Sequence, residues 1–172
     1  MRRLAFCMLA GWCAAVSLGG ALRAQSQSKD EQEIRALEDK FAAAFSAKDA
    51  EAVMKVYAPG SDLVVFDVIP PRQYVGWDAY KKDFESTFAG FKGPMRFDIH
   101  DLSVTAEGKL AYSHSIQHVA WINADGTPVE MTVRVTDVYR KIDGKWLIVH
   151  EHVSVPVDTS NGKPVPDMMS KP

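Results

Sequence analysis

Cysteine is nearly absent. The 172 residues include two, Cys7 and Cys13, and both fall in an N-terminal stretch that reads as an address rather than as structure. Arg2 and Arg3 form a basic start, Leu4 to Leu18 is apolar but too short to span a bilayer, and small residues follow. This is the pattern of an export signal, with plausible cuts after Ala21 or Ala24. Arg2-Arg3 lacks twin-arginine flanks, and neither cysteine sits in a lipoprotein-type context. With 1–24 removed no thiol remains, which excludes a disulfide, a thiolate nucleophile and a Cys-based zinc site. The expected location is periplasmic or secreted, with no membrane partner after cleavage.

Other absences narrow the function. There is no Gly-rich phosphate loop, no nucleophile elbow and no HExxH. Positive charge is not in excess: 20 Lys and Arg stand against 22 Asp and Glu. Removing Arg2, Arg3 and Arg23 leaves 17 basic residues and a net charge of −5, or −4 if Arg23 is kept. Neither nucleic acid nor an anionic membrane surface is expected as a partner. No signal for flavin, haem or nicotinamide is present, so no cofactor is expected. No internal repeat occurs, and about 148 mature residues suit one domain with a real core.

What is present begins with helical spacing. Ile34, Leu37, Phe41, Ala44 and Phe45 predict an amphipathic helix over 31–47. Asp49 caps a second short helix carrying Val53, Val56 and Tyr57, which Pro59-Gly60 stops. Leu63 to Val68 reads as a strand with Asp67 near its end, and Gln73 to Val75 as a short return strand. Trp77 to Ala89 reads as a third helix with Tyr80, Phe84 and Phe88 on one face. Strands are expected at 95–106, 109–123, 128–142 and 145–155, with Gly108, Gly126 and Gly144 in the turns. The tail from Val157, with Pro164, Pro166, Pro172 and Gly162, is expected to be loosely ordered. This order predicts an α+β fold: a strongly curved antiparallel sheet wrapped around N-terminal helices to form a cone-shaped pocket.

The last hairpin, RVTDVYRKIDGKWLIVHEHVSVP over 134–156, carries the densest polar set. Alternation puts Arg134, Thr136 and Val138 on one face of their strand, and Trp146, Ile148, His150 and His152 on one face of the next. A two-residue turn would place Thr136 opposite Glu151. A three-residue turn with Gly144 as a left-handed bulge would place Arg134 opposite His152 and Thr136 opposite His150. The second register is favoured because it gathers the polar groups into one concavity. It leaves Val133, Val135, Tyr139, Leu147, Val149 and Val153 as an outward, mostly apolar face broken by Asp137 and Glu151. Such an apolar outer face predicts a homodimer packed sheet to sheet.

The FAAAFSAKDAEAVMKVYA helix pair, the Asp67 to Gly76 segment and the DGKWLIVHEHVSVP strand together resemble the nuclear-transport-factor-2-like (NTF2-like) superfamily. Within it they resemble the SnoaL-like domains, the ketosteroid isomerases and the association domain of calcium/calmodulin-dependent protein kinase II. The resemblance covers roughly 31–156, within a domain drawn at 25–156. It implies that Asp67, nine residues before Gly76, stands at the isomerases' general-base position. It also implies that their tyrosine donor is replaced by Phe41, and that their protonated aspartate maps to Thr136 or Asp137, so steroid isomerisation itself is not implied. The Val-His-x-His-x-Ser run of the kinase domain resembles 149–154, with His114 near a pocket arginine position.

Two functions follow as expectations. One is an exported binding protein holding a partly apolar, acidic ligand through Arg134, Thr136, His150, His152 and His114, with Tyr57, Trp77 and Tyr80 as pocket wall. The other is a cofactor-free isomerase, lyase or cyclase with Asp67 as base. His150-x-His152, and His114 with His118, have spacings seen in metal sites, but no third ligand is identifiable and no metal is expected.

Overall fold

The computed structural model describes residues 27–165. The stretch expected to be an export signal and the tail beyond 165 lie outside them. Helix α1 (Lys29–Ser46) opens on a capping box, with Ser28 Oγ accepting from the Glu31 backbone N–H and Glu31 accepting from that of Ser28. Asp49 caps α2 (Ala50–Met54), accepting from the Ala52 N–H at 3.0 Å. Strands β1 (Val64–Phe66) and β2 (Tyr74–Val75) form a short antiparallel pair before α3 (Trp77–Ala89). Four long strands follow: β3 (Phe91–Glu107), β4 (Leu110–Asn123), β5 (Pro128–Ile142) and β6 (Lys145–Ser154). The sheet order is β2-β1-β6-β5-β4-β3, antiparallel except where β1 runs parallel to β6.

The helices pack into the concave side of the sheet, so one core sits inside the cone. Ile34, Leu37 and Phe41 of α1, Val53 and Met54 of α2, and Tyr80, Phe84 and Phe88 of α3 meet Val104, Val119, Tyr139, Trp146 and Ile148 of the sheet. Where the tail was expected to be loose, β7 (Val157–Asp158) and β8 (Lys163–Pro164) form a small hairpin. Asp158 holds its turn, accepting from Ser160 and Asn161 side chains and backbone.

The β5–β6 hairpin departs from the favoured register twice. Asp143 and Gly144 both have positive φ, 49° and 79°, which suits a two-residue turn of the I′ type, and Ile142 pairs with Lys145. Tyr139 then pairs with Ile148 but Val138 with His150, leaving Val149 as an extra residue in a β-bulge. Alternation along β6 is therefore broken at Val149. Trp146 and Ile148 point into the core, and so do Glu151 and Val153; His150 and His152 point out.

Candidate functional site

The bulge decides which side chains line the cone. Arg134 pairs with Ser154, Thr136 with His152 and with His114, and Phe66 with His152, so these residues do share one face. That face is the outer one. Arg134, Thr136, His114 and His152 are exposed, and His150 is half-buried with its Nδ1 2.8 Å from the Val64 carbonyl. Phe66 stacks edge-on against both His150 and His152. By register all five histidines, His100 and His118 included, lie on this outer surface. Correspondingly Val133, Val135, Tyr139 and Val153, expected on the outside, line the inside. The expected ligand set of Arg134, Thr136, His150, His152 and His114 is thus not in the cavity: the two-residue turn pairs Tyr139 with the inward Ile148, which leaves Arg134 and Thr136 of β5 and His114 of β4 outside, and a bulge invisible to simple alternation carries His150 and His152 out with them. Trp77 is not cavity wall either; its indole N–H donates to the Met54 carbonyl at 2.9 Å and Lys81 lies over its ring. Among the described residues no three His, Cys, Asp or Glu side chains gather as a metal site.

The cavity inside the cone has a volume of about 150 Å³. Phe41, Phe45, Phe84, Phe97, Trp121 and Met131 supply most of its wall, and its polar lining is Asp67, Asp83, Glu151, Tyr80, Thr87 and Gln117. Among the described residues no lysine, arginine or histidine lines it. A wider groove of about 790 Å³ opens outside, between α1, α2 and the β5–β6 turn. Its lining charges are Glu33, Lys40, Lys55 and Lys145; the inner cavity, which holds Asp67 and Glu151, is the candidate site.

Asp67 enters this cavity from the end of β1. Its Oδ1 accepts from the Val68 N–H at 2.6 Å, and its Oδ2 lies 3.2 Å from the Tyr80 hydroxyl. Burial raises its pKa above the usual carboxylate range, partly offset by the Val68 and Tyr80 hydrogen bonds. The Tyr80 oxygen is also 2.8 Å from Glu151 Oε1, and Tyr57 donates to Glu151 Oε2 at 2.7 Å. Of the site residues expected from the sequence, Asp67, Tyr80 and Tyr57 are thus brought together, with Glu151 as the residue that joins them.

Behind Glu151 the polar chain continues. Asp137 is its cross-strand partner. Ser113 lies 3.4 Å from Asp137 and 2.8 Å from the Tyr139 hydroxyl, which donates to Glu38 at 2.7 Å. Glu38, Asp137 and Glu151 are 2%, 1% and 5% exposed, and no cation accompanies them in this network. Desolvation pushes Glu38 and Glu151 up to about 7 and Asp137 well above its ordinary value. Asp137 Oδ1 finds no donor among the described residues; when Asp137 itself carries a proton it can donate to the adjacent Glu151 carboxyl, which helps to raise its pKa. Glu38 could have been found in the sequence: it falls on the apolar stripe of α1, four residues after Ile34 and three before Phe41. Asp137 and Glu151 were visible as charges interrupting an apolar strand face, though on the face taken to be outside.

A SnoaL-like domain model matches residues 34–158. The chain belongs to the SnoaL-like domain family of the NTF2-like superfamily. A solved NTF2-like protein of unknown function from Pseudomonas putida is 33% identical to this SnoaL-like chain, with a TM-score of 0.73 over 83% of it and 96% of the other. A putative calcium/calmodulin-dependent protein kinase II association domain from Xanthomonas campestris is 25% identical, with a TM-score of 0.63 over 74% and 88%. A ketosteroid isomerase-like protein from Erwinia carotovora atroseptica is 22% identical, with a TM-score of 0.64 over 74% and 97%. No curated protein matches the sequence. SnoaL-like and NTF2-like folds share the cone and not one function.

Proposed function

We propose that this SnoaL-like protein is exported and takes a small, neutral, largely apolar molecule into the cone. One observation supports this ligand: an aromatic-walled cavity whose polar lining among the described residues is carboxyls, a phenol, a hydroxyl and an amide. An anion would meet Asp67, Asp83 and Glu151 with no cation to offset them. The acidic ligand expected from Arg134 therefore loses its partner, since Arg134 is on the outer face. Thermal shift with a matched pair tests this. A neutral aromatic ketone should raise the melting temperature and the corresponding carboxylate should not; stronger stabilisation by the carboxylate would refute it. Native mass spectrometry of the protein purified from its host would show a co-purifying neutral molecule.

A second reading rests on Asp67. A carboxylate at an apolar cavity is poorly solvated and is the stronger base for it, which suits removal of a proton from carbon beside a carbonyl. The ketosteroid isomerase-like neighbour shares the fold in which that chemistry is housed. Asp67→Asn should leave ligand affinity within a fewfold and lower turnover by orders of magnitude. The dimer expectation also changes ground. Four of the six apolar residues that suggested it, Val133, Val135, Tyr139 and Val153, are inside, and the outer face instead presents Phe66, Leu110 and Tyr112, 38%, 55% and 50% exposed. A homodimer through that face is the proposal, and Tyr112→Glu should convert it to monomer in sedimentation velocity.

A further inference from the structure

We propose that Glu151 is the acid of this cavity and Tyr80 the bridge that resets it, so that the site eliminates water from a small neutral β-hydroxy carbonyl compound. The inference rests on the reading of Asp67 as the base.

A count of hydrogens leads to it. The Tyr80 oxygen is within hydrogen-bond distance of both Asp67 and Glu151, yet a phenol has one hydrogen to give. Two ionised carboxylates cannot both be satisfied there; one must carry a proton and donate it to the phenol oxygen. Asp67 receives a backbone N–H from Val68, which favours its ionised form. Among the described residues no backbone N–H reaches the Glu151 carboxyl: its partners are two phenols and the buried Asp137 carboxyl, with no cation among them. The proton therefore resides on Glu151, Tyr80 donates to Asp67, and both carboxyls line the same cavity. Desolvation agrees, holding Glu151 protonated to about pH 7.

An isomerase that moves a proton between two carbons needs one carboxylate. A second carboxyl that already carries a proton is needed when an oxygen must leave, since hydroxide is a poor leaving group and no cation lines the cavity to receive it. The elimination balances without another reagent. Asp67 takes the proton from the carbon beside the carbonyl, and the C–H electron pair becomes the new C=C bond. The C–O bond at the next carbon breaks, and its oxygen takes the Glu151 proton and departs as water. Asp67 is then protonated and Glu151 ionised. Tyr80 passes its hydrogen to Glu151 and receives that of Asp67, which restores the starting state.

The probe is 4-hydroxy-4-phenylbutan-2-one, a neutral aromatic β-hydroxy ketone whose dehydration product is conjugated and absorbs in the near ultraviolet. Exchange of its C3 hydrogens in D2O, followed by NMR, reports the base step alone. The wild type should catalyse both exchange and dehydration, and Asp67→Asn should lose both by about a thousandfold. Glu151→Gln should lose dehydration by at least about a hundredfold and exchange by less than about tenfold. Tyr80→Phe should give one product per site in a burst, then slow turnover. Independently of any variant's folding, the wild-type dehydration rate should fall above about pH 7 while exchange does not. Dehydration by Glu151→Gln at the wild-type rate, or a dehydration rate with no loss above neutrality, would overturn the role of Glu151 and leave the base standing. A burst and steady state lost equally in Tyr80→Phe would remove Tyr80 as the bridge. A wild type that neither exchanges nor dehydrates the probe would overturn the base reading, and this inference with it.

Discussion

Glu38→Gln should flatten the pH dependence of stability. Glu38 is 2% exposed, and its one hydrogen bond in the network is the phenol of Tyr139. Burial is the main reason its pKa stands at about 7 against an ordinary 4.5. A carboxyl whose folded pKa is raised binds its proton more tightly in the native state. Its stabilising contribution is complete below the unfolded value and is lost as pH rises through about 7. The difference of about 2.5 units corresponds to roughly 3 kcal/mol between the two limits, at about 1.4 kcal/mol per unit. Glutamine keeps the acceptor for Tyr139 but does not titrate. Its amide N–H groups add a penalty of about 1–3 kcal/mol that does not change with pH. The quantity to compare is therefore the loss of stability between pH 5 and pH 9, measured by urea unfolding with a fixed slope. The variant should lose about 2.5 kcal/mol less than the wild type over that interval, since pH 5 already lies above the unfolded value. Parallel curves, with the variant offset by a constant, would show that Glu38 is not the group that holds the proton and would refute the argument.

Further tests touch other parts of the molecule. Arg134→Leu should leave ligand affinity within about twofold by calorimetry, since the guanidinium is on the outer face; loss of binding would show that the ligand sits elsewhere. Phe45→Ala should cost about 3–5 kcal/mol in chemical denaturation, because Phe45 stacks against Phe41, Phe84, Phe88 and Phe97. Asp49→Ala should cost about 1 kcal/mol through loss of the α2 cap, and Asp49→Ser should recover most of it.

Much of the fold could be read directly. The period of Ile34, Leu37, Phe41 and Phe45 places α1, the Trp77–Ala89 span is met residue for residue, and Asp49 caps the helix it was expected to cap. Turn glycines mark each long hairpin. Asp67 was legible through its distance from Gly76, and it does face the cavity. The polar lining on β6 was not legible, for a specific reason. Alternation is a rule about regular ladders, and β6 contains one residue that is not in the ladder. From Trp146 the period-two rule carries inward through Ile148 to His150 and His152; Val149 interrupts it and admits Glu151 and Val153 instead. Burying three carboxyls without a cation also runs against the usual preference for exposed acids, so Asp137 and Glu151 read as flaws in an apolar face rather than as its chemistry.

The unpaired position of Val149 bears on how this strand tolerates changes in length. Removing one residue from a strand ordinarily turns everything beyond it inside out. Here the ladder already skips Val149, so deleting it joins Ile148 to His150 with every later pairing preserved: His150 still meets Val138 and Glu151 still meets Asp137. Deleting Ile148 instead leaves Val149 to take its place opposite Tyr139. The strand therefore has a window in which a codon can be lost without exchanging acids for imidazoles in the cone. A relative one residue shorter at this point would display the same lining with uninterrupted alternation. Aligned by strict residue count across that gap, its cavity residues would be matched to this protein's surface.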